Sequence, residues 1–309
     1  MKLTGFPSVD VVIPTFNSAA DIDECLRRLR SQDYKGNVNI IIIDGGSTDG
    51  TIDICSKYGC EIHTCIGMYS NGLTGARNKA IEFCKGDLYW QIDSDNFVYN
   101  ESTLKKLVEP FMAIDGIMIT VPMISYSPEM SGIDKWLADY EKIAIKKMAS
   151  KGTLEGNWVI VEDMTYGVTN ASLLRTNMLR NVGGYDSDAR VLARARKMGL
   201  SKGVIVIDTS YYHVSSGTYL RYLKKLSRRI VLYASFSNEE LKNYFVPYSH
   251  DHSQRGKIFK SQTDYIIASI DMLRKKKAFW YWGIFLIFGY FLAFFIRPVS
   301  FIRTLTRFF

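Results

Sequence analysis

Leu88-Tyr89-Trp90-Gln91-Ile92 runs without a charge into Asp93-Ser94-Asp95. The run reads as a buried strand, and two carboxylates one residue apart mark the point where it leaves the sheet. In open α/β sheets ligands bind outside the carboxyl ends of the strands. Hard cations take oxygen ligands there and bridge substrate phosphates, so the placement suits a divalent metal carrying a diphosphate. Aspartates at a strand end are also ordinary turn chemistry, and the neighbouring segments have to decide.

Upstream, apolar runs alternate with amphipathic ones from residue 9 to residue 92, the pattern of βαβ units and a mainly parallel sheet. Residues 11–13 form the first strand, stopped by Pro14. Ser18 is the expected N-cap of a helix whose stripe is Cys25, Leu26 and Leu29. A second strand covers 38–43, and the loop Asp44-Gly45-Gly46-Ser47-Thr48-Asp49-Gly50 has glycines that permit close backbone approach. A short helix from Thr51, a strand at 61–65 and a helix at about 74–83 follow. Four strand ends thus point one way, carrying Thr15-Phe16-Asn17, Asp44-Gly45, the stretch before Gly75, and Asp93-Ser94-Asp95.

Downstream, helices are expected near 102–112 and at 133–148, with a strand at 117–122 between them. Asn170 is placed as the cap of a helix at 171–179. Gly183-Gly184-Tyr185-Asp186 reads as a turn before a basic helix at 189–198, and His213 as lying just past a strand at 204–207. No internal repeat or low-complexity tract is visible.

With 309 residues, 47% hydrophobic, the chain is long enough for one globular domain plus an appendage. The net charge of +8 is concentrated late, in Arg221, Lys224, Lys225, Arg228, Arg229, Lys257, Lys260 and Arg274-Lys275-Lys276-Lys277. A basic tract favours an anionic surface. The 19 uncharged residues at 278–296 reach roughly 28 Å as a helix, against a hydrocarbon core of about 30 Å. Trp280, Tyr281 and Trp282 stand at the entry as an interfacial belt, and the lysines before them suit a cytoplasmic catalytic part. Spanning and lying in the headgroup plane are both open, since Arg297-Pro298 ends the stretch. The expected layout is a catalytic domain at 1–216, a basic amphipathic helical region at 217–277 and a membrane segment at 278–309. The five cysteines lack CxxC pairs and read as reduced core residues. Asp10 interrupts the early apolar stretch, which argues against a secretory signal.

Taken together, Pro14-Thr15-Phe16-Asn17, Asp44-Gly45-Gly46-Ser47-Thr48-Asp49-Gly50-Thr51, Gly75-Ala76-Arg77-Asn78-Lys79-Ala80, Asp93-Ser94-Asp95 and Gly183-Gly184-Tyr185-Asp186 resemble glycosyltransferase family 2. The resemblance covers roughly residues 8–219. It implies an α/β GT-A fold, a nucleotide-sugar donor, a divalent metal, Mn or Mg, and inversion at the anomeric carbon. By the same resemblance Asp44 accepts a hydrogen bond from the nucleobase, Thr15 and Phe16 flank the base, and Arg77 and Asn78 line the donor cleft. Pro14, Asn17, Gly45 and Ser94 belong to the same nucleotide-sugar set. Asp93 is expected at the ribose or the metal's water shell, and Asp95 as the direct ligand, on the view that an extended segment cannot aim both at one point. His213 matches a position that adds an imidazole ligand. The usual Glu-Asp of the family is Ser187-Asp188 here, which leaves Asp188 as the catalytic base, with Asp186 as the runner-up.

The donor implied is a UDP-sugar, with GDP-sugars also used in the family. The expected acceptor is a hydroxyl on a lipid-linked sugar or glycolipid, with anionic membrane lipids as further partners. Two rivals are weighed. A polyprenyl-phosphate monosaccharide synthase needs no base and carries an Arg-x-x-Gly-x-Ser-Lys pattern, whereas this chain shows Ile207-Asp208-Thr209-Ser210-Tyr211-Tyr212-His213 and keeps Asp188. A membrane-tethered nucleotide-sugar-binding scaffold without activity is the non-enzyme reading. Nucleic acid is not expected, because the basic face leads into a lipid-compatible segment and carries no recognised RNA or DNA motif.

Overall fold

The structure is a computed structural model that describes residues 2–66, 72–130, 132–164, 170–185 and 188–214. All of these lie within the unit Met1–Gly217. The basic region and the apolar stretch at 278–296 lie outside the described residues. Among the described residues no helix is long and apolar enough to cross a membrane.

The opening half is a parallel α/β unit: β1 (Val9–Thr15), α1 (Ala19–Arg30), β2 (Val38–Asp44), α2 (Thr51–Lys57), β3 (Glu61–Thr64), α3 (Gly72–Phe83) and β4 (Leu88–Gln91). The run Ile40-Ile41-Ile42-Ile43 is wholly buried, as expected of a parallel strand covered on both faces. Each such side chain contributes about 1.5–3 kcal/mol by leaving water. Helix α1 covers one face with Ile22, Cys25, Leu26 and Leu29, while Ala76, Ala80 and Ile81 of α3, with Cys84 just after it, cover the other. β1 lies between β2 and β4 in parallel register, Thr15 opposite Asp44 and Val12 opposite Gln91. Their carboxyl ends therefore line up.

The second half comprises β5 (Asn96–Val98), α4 (Thr103–Ala113), β6 (Ile119–Ile124), α5 (Gly132–Ala149), β7 (Thr153–Glu155), β8 (Trp158–Val161), β9 (Leu173–Arg175), α6 (Thr176–Asn181), α7 (Asp188–Lys197) and β10 (Gly203–His213). The strands of both halves join one sheet in the order β3-β2-β1-β4-β9-β6-β10-β8-β7, with β5 on β10. β9 runs antiparallel to both β4 and β6, and β8 antiparallel to β10. The sheet is therefore mixed rather than mainly parallel, although the βαβ half is parallel as expected.

Several expectations are corrected. Pro14 does not stop β1 but pairs opposite Ile43. The β4 pairing ends at Val12, so the missing proline N–H falls where one neighbour is absent. Ser18 is at the N-cap position without a side-chain cap bond; Asp49 Oδ2 from the distant loop accepts Ala19 N–H at 3.0 Å instead. Residues 171–179 are not one helix but β9 followed by α6, with Ala171 at a φ of 65°. A helix there would break the bridge that β9 builds between β4 and β6.

β10 decides the geometry of the site. Its register against β6 jumps between Val206 and Ser210. Before the jump the strand pairs with β8 from Gly203 to Val206, and after it Tyr211, Tyr212 and His213 pair with Val98, Phe97 and Asn96 of β5. His213 is thus the last residue of a long bulged strand rather than a residue beyond a short one.

Candidate active site

The Asp93-Ser94-Asp95 segment is a turn, closed by Asn96 N–H on the Asp93 carbonyl at 2.9 Å, not an extended run. The turn sends its two carboxylates to different partners. Asp93 Oδ1 accepts from Arg77 Nη2 at 2.7 Å, in a pair whose side chains are only 15% and 7% exposed. Asp95 Oδ1 lies 3.1 Å from His213 Nε2, because β5 begins one residue after Asp95 and seats His213 opposite Asn96.

Burial pulls the His213 pKa down, but the Asp95 carboxylate outweighs it and the net direction is upward. Asn170 Nδ2 stands 3.5 Å from His213 Nδ1. An amide flip at Asn170 would present its oxygen to Nδ1–H and leave the Nε2 lone pair for a cation. The donor set fits a divalent ion. Ligand bonds of about 2.1 Å at right angles put neighbouring donors roughly 3 Å apart, close to the observed Asp95–His213 separation, and a mixed oxygen and imidazole set favours manganese. Among the described residues no group of three or more His, Cys, Asp or Glu is poised around one point, so substrate oxygens and water would complete the shell.

Arg77 and Asn78 lie in the middle of α3, not at its start, and act as a strut. Beyond its bond to Asp93, the Arg77 guanidinium stands 5.5 Å over the Tyr185 ring and reaches Tyr185 Oη at 3.4 Å. Asn78 Oδ1 accepts Tyr185 N–H at 3.0 Å. Gly184 is obligatory there: its φ is +85° and a Cβ would fall 2.1 Å from Asn78 Oδ1. One helix therefore ties the acidic turn to the Gly-Gly-Tyr turn. Asp186 and Ser187 lie outside the described residues, and helix α7 begins at Asp188.

At the neighbouring strand ends the loop after β2 is held by Asp44. Its carboxylate accepts Gly46 N–H and Ser47 N–H at 2.8 Å on Oδ2, and Ser47 Oγ at 2.5 Å and Thr15 Oγ1 at 3.1 Å on Oδ1. A carboxylate has about four acceptor positions. Reading a base N–H therefore requires the Ser47 hydroxyl to swing away. Asn17, at a φ of 50°, accepts Thr48 N–H at 2.9 Å, and Gly45 N–H bonds the Thr15 carbonyl at 2.9 Å. Phe16 is 54% exposed and is no core residue. Pro14 is buried, and Ser94 Oγ joins the Ser18 hydroxyl at 3.1 Å.

Three features escape a reading of the sequence. Tyr185 belongs to a quoted motif, but its stacking on Arg77 is a tertiary fact. Cys25 Sγ approaches the Asp93 carbonyl at 3.8 Å. Asn170, expected as a helix cap, reaches the imidazole. The cysteines are free, and burial pushes the Cys55 and Cys84 thiols up to about 12, which makes them core residues rather than nucleophiles. A hollow of about 500 Å³ beside Lys106, Trp158 and Asp208 is no part of this site.

These strand ends and their acidic turn define a GT-A-like domain. Residues 10–157, just under half of the chain, match the family described as Glycosyl transferase family 2. An N-acetylglucosaminyltransferase of Azorhizobium caulinodans is 32% identical over 158 residues, which is 47% of this chain but only 39% of that relative. The chain thus matches less than half of that protein's length. Glycosyltransferase GlyG of Streptococcus pneumoniae is 23% identical over 69% of this chain and 73% of its own. Among solved structures, mannosyltransferase PcManGT from Pyrobaculum calidifontis, in complex with GDP-Man and Mn2+, superposes with a TM-score of 0.54 at 18% identity, covering 74% of this chain and 63% of that one. TarS from S. aureus gives 0.50 at 19% identity, covering 80% and 44%. At such identities the likeness defines the fold alone.

Proposed function

We propose that this protein is a metal-dependent, inverting glycosyltransferase that moves a sugar from a nucleoside-diphosphate donor to a hydroxyl of a lipid-linked sugar or glycolipid. The observation that carries the reading is the meeting of Asp95 and His213 at 3.1 Å, beside the buried Arg77–Asp93 pair, at the aligned ends of β1, β2 and β4. The GDP-Man and Mn2+ of the mannosyltransferase neighbour and the UDP complex of TarS support the donor class. A uridine donor is favoured, with guanosine as the alternative.

Asp95 and His213 would hold the cation, which supplies neutralisation of the charge on the departing diphosphate. Phe16 and Thr15, at the end of β1, would flank the base, and Asp44 shapes the loop beside them. The Arg77–Asp93 pair presents fixed charge at the floor of the cleft, where Asp93 can accept from a donor hydroxyl. Asp188, at the start of α7, removes the proton from the acceptor hydroxyl. That oxygen then bonds the anomeric carbon from the face opposite the diphosphate as the carbon–oxygen bond to the diphosphate breaks, and the configuration inverts.

A thermal-shift and donor-hydrolysis panel of UDP-glucose, UDP-N-acetylglucosamine and GDP-mannose with Mn2+ tests the reading. At least one donor is expected to raise Tm and to be hydrolysed slowly, with EDTA abolishing both. No response to any donor overturns it.

The membrane part rests on the basic residues from Arg221 onward and on the uncharged stretch at 278–296. Together they would hold the cleft near an acceptor at a cytoplasmic membrane surface. Flotation with vesicles of phosphatidylcholine, with and without phosphatidylserine, is expected to recover the full chain mainly on the anionic ones, and less at high salt. Failure to float with either kind removes the proposal.

A further inference from the structure

β4 ends on Gln91, whose backbone is fully engaged. Its N–H donates to the Ser172 carbonyl at 3.0 Å, and its carbonyl accepts Ala171 N–H at 2.8 Å. Its side chain is 0% exposed, and neither Nε2 nor Oε1 has a hydrogen-bond partner among the described residues. A buried amide left unpaired costs stability that an apolar side chain of similar length would not. The position is also well defined. Leu88, Trp90 and Ile92 join the core on the α1 side and Tyr89 the core on the α3 side, so strand alternation puts Gln91 on the α3 side. That is where Asp93, two residues further on, meets Arg77 of α3. A second cost lies alongside: Ala171, bonded to the Gln91 carbonyl, is a buried non-glycine residue at a φ of +65°. Departures from local rules collect where ligands are handled.

We propose that Gln91 is a positioning residue of the donor-sugar pocket, its amide pairing with a hydroxyl of the transferred sugar beneath the Arg77–Asp93 pair. This rests on the glycosyl-transfer reading and adds a specificity element to it. A primary amide presents an acceptor oxygen and donor N–H groups side by side, and a sugar hydroxyl both donates and accepts, so the two are complementary. Because the amide is wholly covered, the contact forms as the sugar enters and the side chains above give way. The hydrogen bonds that Gln91 lacks are then made only in the bound complex, where they favour a donor bearing that hydroxyl.

The test compares the full chain with Gln91→Met, using Gln91→Leu as a second apolar variant in case methionine disturbs the core. Tm, kinetics of hydrolysis of UDP-glucose, UDP-N-acetylglucosamine and GDP-mannose, and the affinity for UDP and GDP without sugar are measured. Tm is expected to hold or rise by up to about 4 °C. On the donor that the unmutated chain turns over, kcat/KM is expected to fall about tenfold or more, with nucleotide affinity unchanged. Unaltered kinetics overturn the proposal, as does a parallel loss of nucleotide and sugar-nucleotide binding, or a lowered Tm with lost activity in both variants. An unmutated chain that turns over no donor brings down the transferase reading itself, and the inference with it.

Discussion

Asp95→Ala is expected to abolish measurable sugar transfer, a loss of at least a hundredfold in kcat/KM on whichever donor the wild type uses. The reason is electrostatic. On the proposed reading a diphosphate would leave with developing charge, and a cation held by Asp95 and His213 would supply several kcal/mol of stabilisation in the transition state. A positioned base such as Asp188 typically contributes about a hundred- to ten-thousandfold. Asp188→Asn is therefore expected to be impaired as well, but to keep Mn2+-dependent donor binding, which Asp95→Ala loses. Steady-state kinetics with a Mn2+ titration of donor binding separate the two variants. Wild-type turnover in Asp95→Ala would remove the metal from the mechanism.

The second large effect is on stability. Arg77→Met leaves Asp93 as a buried carboxylate without its 2.7 Å partner, and breaking a pair in this way costs about 3–5 kcal/mol. For a domain of this size that is a fall in Tm on the order of 10 °C. The Arg77→Met/Asp93→Asn double variant should recover much of the loss, because no charge is then stranded. Arg77→Lys restores the charge but not the planar contact with the Tyr185 ring, so it should fall between wild type and Arg77→Met. Thermal denaturation of the four proteins decides the matter. An Arg77→Met protein as stable as wild type would mean that the pair is not a buried strut. Activity should fall alongside stability, since the same guanidinium fixes the turn that precedes Asp188.

Local chemistry carries far in this chain. The apolar runs at 38–43 and 88–92 and the amphipathic stripe around Cys25, Leu26 and Leu29 specify a βαβ unit, because a strand buried on both faces and a one-sided helix leave unmistakable periods. The acidic turn, the Gly-rich loop and the Arg77-Asn78 pair are likewise visible as residue types at ordered positions. Where the sequence misleads, the elements are short or bent. β5, β7 and β9 are three residues each, too brief to show a period, and they exist only because longer neighbours offer them hydrogen bonds. Residues 171–179 have enough apolar character for a helix, yet β4 and β6 need a strand between them and take the first part of the stretch.

Where the parallel strands end, and which residues close them, was thus written in the sequence through burial period. Which atoms meet was decided by tertiary structure. The turn at Asp93 to Asn96 sends the two carboxylates to different partners, Arg77 and His213. The bulge in β10 carries His213 to Asp95 from more than a hundred residues away in the chain, and α3 clamps Asp93 to Tyr185. Hydrogen bonds and charge pairs depend on ångström-scale separations between distant segments, and no local pattern of residue types encodes those.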